Sequence, residues 1–129
     1  MPNVLIVDDS TTTRLFYRDT LESAGFDVEE AVNGLEALEK AMLSSFDLAI
    51  VDINMPKMDG LTFLRELRRR SEICGLPAIV ISTQDRPEDR AKAHASGANA
   101  YVVKPIHPQV LVEYGRLMTG APSTSGGSS

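Results

Sequence analysis

Apolar segments and segments of helical periodicity alternate along the chain. Five short apolar runs are each followed by a stretch in which apolar residues recur at helical spacing. Residues 4–7 show no polar alternation, which is typical of a strand buried on both faces. Residues 27–32 do alternate, which indicates an edge strand. The five predicted strands are residues 4–7, 27–32, 46–53, 78–82 and 100–103.

The helices are predicted from their end signals and from their apolar stripes. Ser10 is the predicted N-cap of the first helix, and Gly25 ends it. Asp85 is the predicted N-cap of a helix over residues 87–96, which ends at Gly97. The predicted stripes are Phe16, Tyr17, Leu21 and Ala24; Leu35, Leu38, Ala41 and Met42; Leu61, Leu64 and Leu67; and Val110, Leu111, Tyr114, Leu117 and Met118.

Strict alternation of strands and helices predicts an α/β protein. Such chains form a parallel sheet with helices on both faces and right-handed crossovers. For five strands the common solution is a three-layer, doubly wound (βα)5 sheet in the flavodoxin-like order 2-1-3-4-5. In that order a ligand site lies at the switch between strands 1 and 3, at the carboxyl ends of the strands.

Length and composition limit the possible classes of protein. The 129 residues suffice for one domain with a core, and 43% hydrophobic with 24% charged residues is ordinary for a soluble protein. No apolar run reaches membrane-spanning length and no signal peptide is recognisable, so we expect a cytoplasmic protein. The single cysteine, Cys74, cannot form an internal disulfide, and the net charge of −5 disfavours nonspecific nucleic-acid binding.

The end of the chain differs in composition from the rest. Residues 120–129 are rich in Gly and Ser and offer almost no apolar side chain to bury. We therefore expect one domain over residues 1–119, followed by a flexible tail.

Four of the five predicted strands end in polar residues of complementary chemistry. Asp8 and Asp9 follow the first strand, Asp52 lies at the end of the third, Ser82 ends the fourth, and Lys104 follows the fifth. Because the carboxyl ends of parallel strands share one edge, we expect these side chains to meet in one pocket. Three neighbouring carboxylates need a cation at pH 7, and oxygen ligands suit Mg²⁺.

The same residue types favour phosphoryl transfer. A carboxylate can act as the nucleophile and form an acyl phosphate. A metal ion and the Lys104 ammonium would then flank the phosphoryl oxygens, and the Ser82 hydroxyl can donate to one of them.

Each of these residues also has a purely structural alternative. Asp8 or Asp9 could cap the first helix, and Ser82 could bond a backbone group at the strand end. Lys104 could be a solvated surface charge, and Tyr101 could be core or edge packing. Their joint occurrence at the strand ends favours a common site.

Four motifs occur at the predicted strand ends: Asp8-Asp9, Asp52-x-Asn-Met-Pro-x-Met-Asp-Gly, Ser82 and Tyr101-x-x-Lys104-Pro105. Together they resemble one family, the response-regulator receiver domains, over residues 3–118. The length is similar to that of stand-alone receivers of the chemotaxis CheY type. The resemblance implies a signalling switch of a two-component phosphorelay, with no enzyme activity beyond self-phosphotransfer and autodephosphorylation.

The resemblance implies roles for the acidic residues. Asp52 is the phosphoacceptor, and the phosphohistidine of a histidine kinase is the donor. Asp9 and Asp52 bind Mg²⁺ directly, together with the backbone carbonyl of Asn54. Asp8 contributes through water or orients a ligand.

The resemblance also implies how the switch works. Lys104 pairs with Asp52 and then with the phosphoryl group, Ser82 moves toward the phosphoryl oxygens, and Tyr101 turns inward. The bond between Lys104 and Pro105 is expected to be cis. The expected output face consists of helix 4, strand 5 and helix 5, and its partner would be a flagellar-motor or chemotaxis component.

Three residues, Asn54, Thr83 and Gln84, are expected to tune access to the phosphoryl group and its lifetime. Ser82 stands where Thr is frequent in the family, and Thr83 stands where a small Ala is usual, so that its bulk restricts access. Asn54 and Gln84 are uncharged amides at positions that tune dephosphorylation, so we expect no acid/base acceleration of the attacking water.

Two other functions compete with the switch. An aspartyl-phosphate phosphatase of the dehalogenase type uses similar groups, but its nucleophile follows the first strand and it carries a cap domain. A phosphorylation-independent interaction module is disfavoured by the complete pocket.

Other charged residues receive weaker interpretations. Arg65 and residues 68–70 are expected to form a solvated helix face, with an anionic ligand as the alternative. His94 and His107 have no metal-ligand partners at suitable spacing. We expect a monomer without a DNA-binding domain and without a membrane segment.

Overall fold

The computed structural model describes residues 1–55 and 57–120, so most of the predicted tail lies outside the described residues. Ten elements alternate as the sequence predicts, and the strand bounds agree with the predicted ones to within two residues. The elements are β1 (Asn3–Val7), α1 (Thr11–Ser23), β2 (Asp27–Ala31), α2 (Gly34–Leu43), β3 (Leu48–Asp52), α3 (Gly60–Arg68), β4 (Ala78–Ser82), α4 (Pro87–Ser96), β5 (Ala100–Val103) and α5 (Pro108–Thr119).

The five strands form one parallel sheet in the order β2-β1-β3-β4-β5, which confirms the predicted order. β1 lies between β2 and β3, at the point where the strand order reverses direction. The register pairs Val7 with Val51, so the residues that follow, Asp8 and Asp52, lie at the same level at the edge of the sheet. The sheet therefore places its first and third strand ends side by side.

Alternate side chains of the central strands fill two apolar cores. Leu5 and Val7 face the core that α2, α3 and α4 cover. Val4 and Ile6 face the opposite core, under α1 and α5. Because β1, β3 and β4 are buried on both faces, they have no polar alternation, whereas the edge strand β2 alternates.

Helix starts follow local hydrogen bonding and proline geometry. Ser10 caps α1 as predicted, since its side chain accepts from the backbone N–H of Thr13. The predicted cap at Asp85 is wrong. Pro87 has no N–H and suits the first helical position, so the preceding residue, Arg86, is the N-cap of α4.

Several predicted stripe residues are exposed. Phe16 is 39% exposed, Leu35 47% and Leu117 74%, although apolar spacing placed them on buried faces. The buried stripe of α1 instead begins with Arg14. The stripe residues that are buried as predicted are Tyr17, Leu21, Leu38, Ala41, Leu64, Leu67 and Leu111. Apolar spacing alone therefore located the buried faces of the helices only in part.

Arg68 does not belong to a solvated helix face, contrary to the expectation for the arginine run. Its guanidinium donates to the backbone oxygens of Gly97, Cys74 and Leu76 and to Asn99 Oδ1, at 2.6–3.0 Å. A guanidinium is a rigid planar fork of donors that can serve several acceptors at once. Arg68 thus joins the end of α3 to the loops before β4 and β5.

The neighbouring arginines are also paired. Arg69 and Arg70 lie 3.2 and 3.4 Å from the Glu66 carboxylate, and Arg65 donates to Ser96 Oγ. These contacts do not favour the anionic ligand that the sequence left as an alternative.

No helix of residues 1–55 and 57–120 combines the length and the apolar character needed to cross a bilayer.

Replacing Arg68 should destabilise the fold. We expect Arg68→Ala to lower the free energy of unfolding by about 2 kcal/mol, because several acceptors lose a charged donor. Arg69→Ala, an exposed neighbour, should change it by no more than about 0.5 kcal/mol. Urea denaturation of both variants measures the difference, and equal effects would show that the Arg68 contacts contribute little.

Candidate functional site

Three carboxylates lie together at the carboxyl edge of the sheet. Asp8 and Asp9 follow β1, and Asp52 is the last residue of β3. One carboxylate oxygen of each lies within 4.8 Å of those of the other two. Asp8 is buried, Asp52 is half-buried and Asp9 is exposed, so the cluster opens to solvent on one side.

The Lys104 ammonium faces two of these carboxylates. Its Nζ lies 3.8 Å from Asp8 Oδ2 and 3.9 Å from Asp52 Oδ1. These are ion-pair distances and exceed those of hydrogen bonds. The backbone N–H of Lys104 donates to Ser82 O at 2.7 Å, and the bond to Pro105 is cis. The structure thus brings together the charged ends of β1, β3 and β5.

Burial controls the protonation of the two inner carboxyl groups. Desolvation raises the pKa of Asp52 to about 6, and repulsion from Asp8 adds to the rise, while Lys104 opposes it. Desolvation also raises the pKa of Asp8, against the Ser10 backbone N–H and Lys104. A single ammonium therefore does not compensate for the charge of this cluster.

The donor set fits a hard divalent cation. Asp8 Oδ2 is buried and accepts no hydrogen bond within the described part of the chain. A buried carboxylate oxygen without a donor is costly unless a cation approaches it. Carboxylate oxygens are the ligands that Mg²⁺ prefers, so the chemistry and the spacing of this cluster suit that ion.

The start of α3 packs directly against the end of β3. Gly60 N donates to Ile53 O at 2.9 Å. A Cβ atom on Gly60 would lie 2.2 Å from Asp52 O, so only glycine permits this approach. Asp59 caps the helix by accepting from Thr62 N at 2.8 Å. These contacts fix the backbone that carries Asp52.

Ser82 and Tyr101 meet at the backbone of Gln84. Ser82 is buried, and its Oγ accepts from Gln84 N at 3.1 Å. The Tyr101 hydroxyl donates to Gln84 O at 2.8 Å. The Tyr101 ring is buried, and the Arg90 guanidinium lies 5.1 Å from its centroid. In this structure Tyr101 is therefore in an inward orientation, covered by Arg90.

The residues expected to tune the phosphoryl lifetime are exposed to solvent. Asn54 and Gln84 both line a cleft of about 390 Å³ between the end of β3 and the start of α4. Thr83 is exposed beside them. Among the described residues, no hydrogen bond joins the side chains of these three residues to the carboxylates of the cluster.

Sequence reasoning missed Arg14, a charged residue that is only 9% exposed. Its NH1 donates to Asp8 O, and its Nε donates to Glu30 Oε1, both at 2.8 Å. A helical period would have located it, because Arg14 precedes Tyr17 and Leu21 by three and seven residues on the buried face of α1.

Neutralising Asp52 should stabilise the domain at neutral pH in the absence of divalent cations. The folded-state pKa lies above the ordinary value of 3.8, so the folded state loses stability as pH rises from about 4 to about 6. We expect Asp52→Asn to raise the free energy of unfolding by about 1–3 kcal/mol at pH 7.

The same variant should have almost no effect on stability at pH 3, where the Asp52 carboxyl group is largely protonated in both the folded and the unfolded state. Asp59→Asn keeps the helix cap and should show no such pH dependence in urea denaturation. A pH-independent effect of Asp52→Asn would contradict the proposed electrostatic origin.

The chain matches known receiver proteins in sequence and in fold. Residues 4–116 match the family described as response regulator receiver domain. The chain is 39% identical over 119 residues to the chemotaxis protein CheY1 of Helicobacter pylori. The matched segment covers 91% of this chain and 96% of that protein. The structure is similar to that of CheY4 of Vibrio cholerae, with a TM-score of 0.87 and 38% identity over 92% of this chain and 98% of that chain.

A third relative is much longer. The chain is 38% identical over 101 residues to the gliding motility regulatory protein of Myxococcus xanthus. The matched segment covers 78% of this chain but only 13% of that protein.

Receiver domains are signalling switches, so the dehalogenase-type phosphatase is not supported. Fold, family match and similarity over almost the whole of two CheY proteins agree, and the chain belongs to the response-regulator receiver domains, the CheY-like signalling domains of two-component systems.

Proposed function

We propose that this domain is a switch that accepts a phosphoryl group on Asp52. The observation that carries the proposal is the Lys104 ammonium, which lies 3.8 and 3.9 Å from the carboxylates of Asp8 and Asp52. A phosphoryl group on Asp52 would place further anionic oxygens within reach of this ammonium. The same amine can therefore pair with Asp52 before transfer and with the phosphoryl group afterwards.

Phosphoryl transfer depends mainly on how the protein positions the reacting groups and on the charges around them. An Asp52 oxygen attacks the phosphorus of a phosphohistidine on a histidine kinase. The new P–O bond forms as the P–N bond breaks, and the leaving imidazole takes up a proton. Attack requires an ionised carboxylate, and a pKa of about 6 leaves Asp52 mostly ionised at pH 7.

Asp8, Asp9 and Asp52 would hold Mg²⁺, with the backbone carbonyl of Asn54 as a further ligand. The ion supplies positive charge that offsets the carboxylates and the transferred phosphoryl oxygens. Asp8 fits an orienting or water-mediated role, because its Oδ1 accepts from Ser10 N at 2.8 Å while Oδ2 is left without a hydrogen-bond donor in the described residues.

Ser82 and Tyr101 are the proposed connection to the output surface. Ser82 Oγ accepts the Gln84 N–H, which leaves its own O–H for a phosphoryl oxygen. A shift of Ser82 would displace the Gln84 backbone, to which the Tyr101 hydroxyl is bonded. The change would reach the face formed by α4, β5 and α5, where we place the downstream partner.

The relatives suggest a biological setting. CheY1 and CheY4 are chemotaxis proteins, and their similarity to this chain supports a cytoplasmic role in chemotaxis or flagellar-motor control.

We propose that the protein is a monomer and that its phosphoryl group is lost without help from nearby side chains. Asn54 and Gln84 offer no acid or base to an attacking water, so autodephosphorylation should not be accelerated by these side chains.

The phosphoacceptor can be assigned by labelling. With acetyl phosphate and MgCl₂, the wild type should gain one hydroxylamine-labile phosphoryl group in intact-mass spectra, and Asp52→Asn should gain none. Asp59→Asn removes an exposed carboxylate from the same loop and should label like the wild type. A hydroxylamine-labile phosphoryl group on Asp52→Asn would place the acceptor elsewhere.

Lys104→Arg should separate phosphorylation from output. The variant should still be labelled, but the backbone amide shifts that phosphorylation causes in α4, β5 and α5 should be mostly lost, because a planar guanidinium does not replace a compact ammonium. Lys92→Arg, on the exposed side of α4, is the matched control. Unchanged amide shifts in Lys104→Arg would show that the ammonium has no part in the switch.

A further inference from the structure

Arg14 joins three segments beneath the carboxylate cluster. Its NH1 donates to Asp8 O at 2.8 Å, its Nε to Glu30 Oε1 at 2.8 Å and its NH2 to Thr11 Oγ1 at 3.3 Å. All three nitrogens of the guanidinium thus have a partner, and the residue is only 9% exposed. Because the guanidinium is planar and rigid, these bonds hold the side chain in one orientation.

The bond to Asp8 O fixes the peptide that joins Asp8 to Asp9. A peptide group is planar, so an anchored carbonyl oxygen also sets the direction of the Asp9 N–H and the start of the Asp9 backbone. Asp8 is held further by its own N–H, which donates to Ala31 O at 3.1 Å. Asp9 is exposed, so side-chain packing does little to orient it. The direction of its carboxylate therefore depends on the anchored peptide.

Glu30 on β2 holds the other end of Arg14. Its carboxylate accepts from Arg14 Nε and from Arg18 NH1. Although desolvation acts in the opposite direction, bonds from Arg18 and Arg14 hold the pKa of Glu30 below its ordinary value. Glu30 therefore stays ionised and offsets the charge of Arg14. Because the charge is offset, Arg14 acts on the carboxylate cluster mainly through its hydrogen bonds.

We propose that Arg14 is a positioning residue for the metal site: by anchoring the Asp8–Asp9 peptide to β2, it sets the directions in which the two carboxylates can bind one Mg²⁺. The inference rests on the proposed function, since it concerns the same acidic cluster. Arg14 acts only through Asp8 and Asp9.

Charge and position act in opposite directions on Mg²⁺ binding. A cation near three carboxylates repels Mg²⁺, so loss of the Arg14 charge alone would strengthen binding. Loss of the anchored peptide would weaken it, as with other residues that orient metal ligands. Arg18 is the matched control, because it lies one turn later on α1 and also bonds Glu30, while its other described partner is Glu22.

Lysine variants isolate the positioning effect, because they keep the charge. A single ammonium cannot reproduce the planar set of bonds to Asp8, Glu30 and Thr11. In calorimetric titrations of the full chain with MgCl₂, Arg14→Lys should weaken Mg²⁺ binding about tenfold. Arg18→Lys should bind within about twofold of the wild type. Arg14→Met should also weaken binding, whereas Arg18→Met should bind equally well or more tightly.

The outcomes distinguish this inference from the proposed function. If Arg14→Lys binds Mg²⁺ as tightly as the wild type, the positioning role is wrong. Equal losses in Arg14→Lys and Arg18→Lys would also overturn it, because they would report a general loss of stability. If the wild type binds no Mg²⁺, the proposed function itself fails, and the inference fails with it.

A measurement on the wild type covers the case in which Arg14 variants do not fold. In ¹⁵N-labelled protein, the Arg14 Nε–H resonance should shift with MgCl₂ along the same saturation curve as the Asp9 amide. The Nε–H resonance of Arg69, which pairs with Glu66 far from the cluster, should not move. An Arg14 resonance that does not respond to saturating Mg²⁺ would overturn the proposal.

Discussion

Repulsion among three carboxylates at one sheet edge is the constraint around which this domain is arranged. The register of β1 and β3 places Asp8 beside Asp52, and the burial of both groups raises their pKa values. One ammonium, that of Lys104, is too little to balance them. The pocket therefore favours the binding of further positive charge, and hydrogen bonds from the surrounding structure hold the backbone of Asp8 in place.

Several residues that have no charged or reactive side chain contribute to the site through their backbone contacts. Gly60 lets α3 begin against the backbone of Asp52. On the opposite side, the Asp8 N–H pairs with Ala31 on the edge strand. The Gln84 backbone N–H donates to Ser82 Oγ, and the Gln84 carbonyl oxygen accepts from the Tyr101 hydroxyl. These hydrogen bonds, with that of the Lys104 N–H to Ser82 O, form the path along which we propose that a change of charge in the pocket reaches the surface.

The sequence predicted the sheet and the convergence of the strand ends because both follow from local patterns. Buried strands are continuous apolar runs, and polarity returns where each strand leaves the sheet. The helical period of α1 indicates that Arg14 is buried, but it does not indicate the partners of Arg14 or of Arg68. Glu30 on β2 and the acceptors of Arg68 in the loops after α3 and α4 become neighbours of these arginines only in the folded chain. Phe16 is apolar but exposed, because it lies off the helical period of the buried face of α1.

The proposed switch depends on the three aspartates acting as one cation site under Lys104. Carboxyl-carbon chemical shifts of Asp8, Asp9 and Asp52, followed by NMR through a MgCl₂ titration of ¹³C-labelled protein, test this most directly. We expect the three resonances to follow a single saturation curve with one dissociation constant. Resonances that do not shift, or that saturate with different constants, would contradict it.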